Sequence, residues 1–414
     1  MKINQHDRDI LRRLAEETAS IAALPVQEET RELWRRLNAL DPVRPMVMID
    51  QVCWNEMNVN DELTLRCEGD EARAHEQQLR RQLYQWRHFP VDQVVDAVIR
   101  IRPAVSGLDF GISVERDAAV YDETSDVRGQ LYHNQLTEDS DLERIRMPEL
   151  RHDTEETARR LAWAEEVFGN LLEVEMAGVD PYLSVWDPIT TWMGAEDLLF
   201  ALIDRPDFML ALAERMVRGY LLQLDQLEEA GLLTRPQPLI HCTGAWTDEL
   251  PAPGYDPARP RTQDIWMFGL AQIFASVSPE MFLHYEIEPN LPLFERFGLV
   301  YYGCCDPLDQ KMDAVRLIPN LRKVSMSPWV DERRGAARIG SDYVYSRKPS
   351  PAQLAGSRFD ENEVRRHLAD SIAVCREFGC PLELILKDIS SVRYDPERLW
   401  RWAGIAMELV RAGT

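Results

Sequence analysis

Pro45-Met46-Val47-Met48-Ile49-Asp50 is a continuous apolar run closed by a carboxylate. A strand with one wet face alternates apolar and polar residues, whereas a parallel strand covered on both faces reads as an unbroken apolar run. The segment is therefore predicted to be a parallel strand. Working outward, similar runs return at Leu183-Ser184-Val185-Trp186, Pro238-Leu239-Ile240-His241, Leu299-Val300-Tyr301-Tyr302, Lys323-Val324-Ser325-Met326-Ser327, Tyr343-Val344-Tyr345-Ser346 and Leu384-Ile385-Leu386-Lys387. Helical spacing of apolar residues intervenes over 153–177, 194–204, 206–230, 265–274, 279–297, 361–378 and 396–411. Strands that alternate with helices point to βαβ units, and about eight of them favour a closed (β/α)8 TIM barrel over an open sheet. No Gly-x-Gly-x-x-Gly follows the first strand, so a dinucleotide-binding fold is not supported.

The flanks complete the expected organisation. Residues 7–40 read as two helices split near Pro25, an N-terminal helical extension over 1–44. The barrel is expected over 45–414, with an insertion-like elaboration at about 55–150. That elaboration holds a charged helix (70–88), a helix-to-strand unit from Val91 to Ile101, and Phe110-Gly111-Ile112-Ser113-Val114.

The 414 residues are 45% hydrophobic and 28% charged, which suits a large packed core. A net charge of −23 opposes nucleic acid or an anionic membrane as partner. No apolar stretch approaches the ~20 residues that span a bilayer, and the polar N-terminus lacks the apolar core of a secretory signal. Seven cysteines do not read as a disulfide framework. The expectation is a cytoplasmic protein with free thiols, acting on a small molecule and pairing as a homodimer.

Parallel barrels collect their chemistry at the C-terminal ends of the strands. Polar residues follow the apolar runs here: Asp50 and Cys53, Asp187, His241-Cys242-Thr243, Cys304-Cys305-Asp306, Ser325 and Ser327, Arg347-Lys348, and Lys387-Asp388. Imidazole and thiolate are zinc ligands, so His241 and Cys242 with Cys304 or Cys305 form a candidate metal set. The competing reading makes the cysteines small buried hydrophobes and His241 a satisfied core histidine. Neighbours on a strand diverge, so one of each pair is expected to face the mouth. Arg347 and Lys348 stand where barrels often bind anions, or on a solvated loop. His284 and Glu288 share a helix face with Glu286 nearby, which reads as a plain exposed surface, and Cys375 and Cys380 read as structural. Trp54, Trp186, Trp192, Trp246 and Trp329 line a pocket or fill the core.

The run Trp186-Asp187-Pro188-Ile189-Thr190-Thr191-Trp192-Met193-Gly194-Ala195-Glu196-Asp197-Leu198-Leu199 precedes a helix opening near Arg205-Pro206. With Ser276-Val277-Ser278-Pro279-Glu280-Met281-Phe282, it resembles the uroporphyrinogen decarboxylase superfamily, over about residues 180–414. The resemblance implies a (β/α)8 barrel and one of two chemistries: cofactor-free tetrapyrrole decarboxylation, or zinc-dependent methyl transfer between corrinoid proteins and thiols or other methyl donors. The decarboxylases carry an arginine-rich signature after the first strand, where this chain has Asp50-Gln51-Val52-Cys53-Trp54 and no arginine. The methyltransferases carry His-x-Cys-Gly, and His241-Cys242-Thr243-Gly244 matches it with the cysteine displaced by one position. Their further cysteine near the last strand has no counterpart around Lys387-Asp388-Ile389-Ser390, while Cys304-Cys305 closes an earlier strand.

The sequence thus leads to a methyltransferase-like enzyme that moves a methyl group between a small methylated substrate and a corrinoid protein. Zinc is expected on His241, Cys242, Cys304 and Cys305, with cobalamin carried by the partner. Trp186, Arg347 and Lys348 are assigned to substrate binding, and Asp187, Lys387 and Asp388 to acid–base work. The alternatives are a metal-independent decarboxylase or lyase on the same barrel, and a non-enzymatic protein that holds a tetrapyrrole or another small ligand.

Overall fold

The apolar runs form strands whose alternate residues enter two different cores. The computed structural model describes residues 3–119 and 129–412. Its largest sheet is parallel and six-stranded, in the order Met46–Ile49, Leu382–Leu386, Val344–Arg347, Leu321–Met326, Leu299–Tyr302, Trp266–Gly269. Met46, Met48, Trp266, Phe268, Leu299, Tyr301, Val344 and Ile385 share one core. Their neighbours Val47, Met267, Val300, Tyr302, Val324, Tyr345, Leu384 and Leu386 join the core made with the helices. The two-residue period of a strand makes this division, and both faces are buried, as the first strand's composition implied.

The chain is thus an α/β protein with a six-stranded parallel sheet and surrounding helices. Among the described residues the ladder does not close into the expected eight-stranded ring. Val98–Ile101 and Glu173–Met176 pair in parallel on a separate two-stranded sheet, and Val179 makes a single parallel bridge to Leu233.

Several expected elements are corrected. Residues 153–177 hold a helix only over Thr154–Phe168, followed by the strand Glu173–Met176. Leu183–Val185 is not a strand, and Trp186 opens the helix Trp186–Met193. Residues 266–269, predicted helical, are a strand of the main sheet. Phe110–Val114 forms no strand. The helix expected over 279–297 contains a π-helical turn, Leu283–Ile287, and then Pro292, whose missing N–H tolerates such an irregular ladder.

The extension splits near Pro25 as predicted, into Gln5–Ala22 and Pro25–Asn38. Its helices reach different cores. Ile10, Leu11 and Leu14 pack with Leu79, Leu83 and Phe168, whereas Trp34 and Leu37 pack against Met46 and Trp266. The Trp34 indole N–H donates to the Asp92 carbonyl at 2.9 Å, and its ring lies against Gly244, where a β-carbon would collide with it.

Candidate functional site

Three strand ends turn through the left-handed region at one edge of the sheet: Gln51 (φ 50°), Gly303 (φ 91°) and Asp388 (φ 56°). Few side chains adopt this conformation, and Gly303 also lies so close to Leu308 that a β-carbon would overlap it. The turn at Gly303 aims Cys304 across the sheet edge. His241 reaches the same place from a tight turn (φ 52°) between the antiparallel pair Leu239–Ile240 and Thr243–Gly244. Lys387 continues the interior-facing alternation of Glu383 and Ile385.

These residues converge. Lys387 Nζ lies 2.8 Å from Cys304 Sγ and 2.9 Å from His241 Nε2, and the last two atoms are 3.7 Å apart. Cys305 Sγ stands 3.6 Å from Cys304 Sγ and 3.3 Å from Asp388 Oδ2, with a single thiol proton to place between the two. The His241 ring stacks on Phe268, centroids 4.0 Å apart and planes within 8°. Below, the Ser325 hydroxyl donates to the Cys304 carbonyl at 2.7 Å, and the Cys304 N–H donates to Asp306 at 3.2 Å.

The electrostatics follow from the contacts. The Cys305 thiol lowers the proton affinity of Cys304 most; burial opposes, and His241 and Lys387 add to the lowering, bringing it from 9.0 to about 3. Cys304 is therefore a thiolate at neutral pH, and that charge pushes Cys305 above the ordinary thiol range. Burial works against the charge on Lys387, but the sulfurs of Cys304 and Cys242 overcome it and hold the ammonium protonated. Lys387 donates to Cys304 and also faces His241 Nε2. Burial lowers the proton affinity of that imidazole, but hydrogen bonds to the sulfurs of Cys242 and Cys304 overcome it and raise it from 6.5 to about 9. The result is a buried ion pair with a hydrogen-bonded histidine, an arrangement that keeps sulfur electron-rich.

Asp187 stands at the start of the helix Trp186–Met193 and accepts from the Tyr182 hydroxyl at 2.7 Å. Burial raises its proton affinity above the usual carboxylate value, and the Cys304 charge adds to this. Burial likewise raises Asp50, while His241 and Lys387 pull it down. Asp50 lines a cavity of about 470 Å³ together with Trp54, Trp246, Gln78 and Arg81, a volume in the range of small-ligand pockets.

Other sequence-chosen residues lie elsewhere. Cys242 diverges from His241, with its sulfur buried 3.9 Å from the Tyr301 hydroxyl. Trp186 is fully buried against Phe274, centroids 4.7 Å apart, and lines no mouth. Arg347 points into the helical layer, where it pairs with Glu332 at 2.5 Å and donates to the Ser327 carbonyl at 2.6 Å. Lys348 is buried on the interior face, donating to Tyr301 at 2.5 Å and Ser346 at 2.6 Å. Both cations are engaged by protein partners. His284 meets Glu288 at 3.4 Å on an exposed face, apart from the thiol cluster.

The expected zinc set was tested against this geometry. Among the described residues, no three of His, Cys, Asp and Glu are grouped to hold a metal ion. The 3.7 Å between Nε2 and Sγ is close to the ~3.6 Å that two zinc ligands subtend, but the Lys387 ammonium stands 2.9 and 2.8 Å from those two atoms. The residues present do not fit the ion as arranged.

Sequence reasoning missed Phe268, because residues 265–274 read as a helix; the compact run Trp266-Met267-Phe268-Gly269 after a Pro-rich loop was the available signal. Tyr182 was missed as a partner of Asp187, since a hydrogen bond from a loop leaves no periodic trace. Among the described residues, no helix is long and apolar enough to cross a membrane.

No known family's profile matches the chain, and no curated protein matches it in sequence. Among solved structures, a methyltransferase from Methanosarcina mazei aligns over 92% of this chain and 98% of its own, at 11% identity and a TM-score of 0.50. At that identity the likeness carries the fold.

Proposed function

We propose that the protein is a methyltransferase-like enzyme that moves a methyl group between a small methylated substrate and a corrinoid protein, within the uroporphyrinogen decarboxylase-like group of barrels. The observation that carries the reading is the contact of a lysine ammonium with a thiolate and an imidazole at the strand ends. In this reading Val98–Ile101 and Glu173–Met176 supply further wall strands of a (β/α)8 barrel.

Methyl leaves a heteroatom as an electrophile, and the bonding pair stays behind on the leaving atom. Stabilising that pair is the main task of the protein. Lys387 supplies N–H groups for it with His241 2.9 Å away, and burial raises the proton affinity of Asp187, which accepts from Tyr182. Cobalamin on a partner protein would supply the cobalt that accepts or returns the methyl group. The cavity at Asp50, Trp54 and Trp246 is of a size to hold the small substrate.

Labelled methyl transfer from O-, N- and S-methyl donors to free reduced cobalamin tests the proposal. Turnover is expected, with Lys387→Ala and His241→Ala each lowering it by about 10²-fold. A second reading, a metal-independent lyase or decarboxylase, is favoured by Lys387, which the sulfurs hold cationic, and by Asp187, whose proton affinity burial raises. Carbon dioxide release without methyl transfer would replace the first reading by the second.

A further inference from the structure

We infer that Lys387 is the resident cation of this site: its ammonium stands in for a metal ion between His241 and Cys304, so the centre is built to work metal-free. This deepens the site assignment above and rests on that location of the site, though not on methyl transfer itself.

The donor atoms are the kind zinc takes, an imidazole nitrogen and a thiolate, held at a zinc-like separation. What differs is the third party. Lys387 is 2% exposed and approaches from the end of Leu382–Leu386, with Nζ 2.9 Å from Nε2 and 2.8 Å from Sγ. Both are hydrogen-bond lengths with charge assistance. An ion bonded to both ligands would lie within about 5 Å of Nζ wherever it sat, given bonds of ~2.1 and ~2.3 Å. A buried ammonium that close repels a dication and blocks one approach to both ligands. The Asp388 carboxylate, 3.5 Å from Nζ, adds a further counter-charge that holds the ammonium at this place, and Ile385 before it in the strand is buried.

The remaining candidate ligands are committed too. Cys305 has its one thiol proton to place between Cys304 and Asp388, and Cys242 faces the Tyr301 side of the sheet. Removing the ammonium would leave the thiolate paired with His241 alone, and an incoming dication could displace the imidazole proton and take both atoms, which is an incipient metal site. One side chain thus decides between two kinds of centre.

The test is metal binding by the full chain, purified without affinity tag or chelator. Elemental analysis should find no stoichiometric zinc in the wild type, and titration with cobalt(II) should give no thiolate-to-cobalt absorption. In Lys387→Ala, cobalt(II) should bind at one equivalent, about 100-fold tighter than in the wild type, and adding Cys304→Ala should abolish that band. Lys387→Gln, which is one atom shorter and uncharged but keeps a polar end, serves if the alanine variant does not fold. One equivalent of zinc in the wild type, lost in His241→Ala or Cys304→Ala, overturns the inference. A folded Lys387 variant that gains no metal affinity overturns it as well. Metal occupancy is read without turnover, so either result leaves the methyl-transfer reading to its own assay.

Discussion

Lys387 Nζ stands 2.8 Å from Cys304 Sγ, although 83 positions separate the two residues in the chain. Nothing local brings them together. The last strand of the main sheet delivers one and the left-handed turn at Gly303 delivers the other.

The first prediction concerns the charge on that sulfur. The folded proton affinity of Cys304 is lowered from 9.0 to about 3, so the thiolate should persist as pH falls far below the titration of a free thiol. Ultraviolet thiolate absorbance, taken as wild type minus Cys304→Ala, should stay flat from about pH 8 down to pH 5. In Lys387→Gln the band should begin to fall at higher pH. A wild-type band that vanishes by pH 7 would refute the charge assignment.

Glu286 sits in the π-helical turn, fully buried, accepting from Tyr302 at 2.9 Å and from Asn290 at 3.0 Å. Burial raises its proton affinity from 4.5 to about 8. The stabilisation linked to this proton is present below pH 4.5 and is lost as pH rises towards 8, at about 1.4 kcal/mol per tenfold change in proton affinity. Glu286→Gln never ionises, so its stability relative to the wild type should improve by a few kcal/mol across that window. Chemical denaturation at several pH values measures this, and parallel curves would refute it.

On the interior face, Lys323 and Glu383 pair at 2.8 Å, both completely buried, with Thr243 donating to the same carboxylate at 2.7 Å. Removing one partner strands the other's charge. Glu383→Ala is expected to cost about 3–5 kcal/mol, and the double variant Lys323→Met/Glu383→Leu distinctly less. Urea midpoints decide the matter, and equal losses in the two variants would contradict it.

Gly244 touches the Trp34 ring so closely that a β-carbon there must displace it. Gly244→Ala should cost about 1–3 kcal/mol through overpacking, with weaker docking of Pro25–Asn38 seen as faster amide exchange in that helix. Trp34→Leu/Gly244→Ala should regain part of the loss. An unchanged exchange pattern in Gly244→Ala would show that the contact does not hold the helix.

Much of the fold could be read from the chain because buried parallel strands are compositionally plain. Five of the six main strands were found from short, mainly apolar runs, among them Met46–Ile49 and Leu299–Tyr302. The sixth, Trp266–Gly269, hid because four apolar residues suit a helix as well as a strand. The site was half legible. His241, Cys304, Cys305, Lys387 and Asp388 were all on the strand-end roll, but sequence could not say that Lys387 would reach both sulfur and imidazole. Side-chain direction hid the rest: Arg347 follows the alternation outward to Glu332, and Trp186 belongs to a helix rather than a strand.

The seam between the main sheet and the separate pair Val98–Ile101 and Glu173–Met176 has a mechanical consequence. Among the described residues no ladder stitches the two together, and the cavity lined by Asp50, Trp54 and Val98 opens along that line. Widening the gap would break side-chain packing while leaving the backbone pairing of either sheet whole. The wall at Asp50 and Val98 is thus the soft flank of the scaffold, and a bulky guest would gain entry there at the least elastic cost.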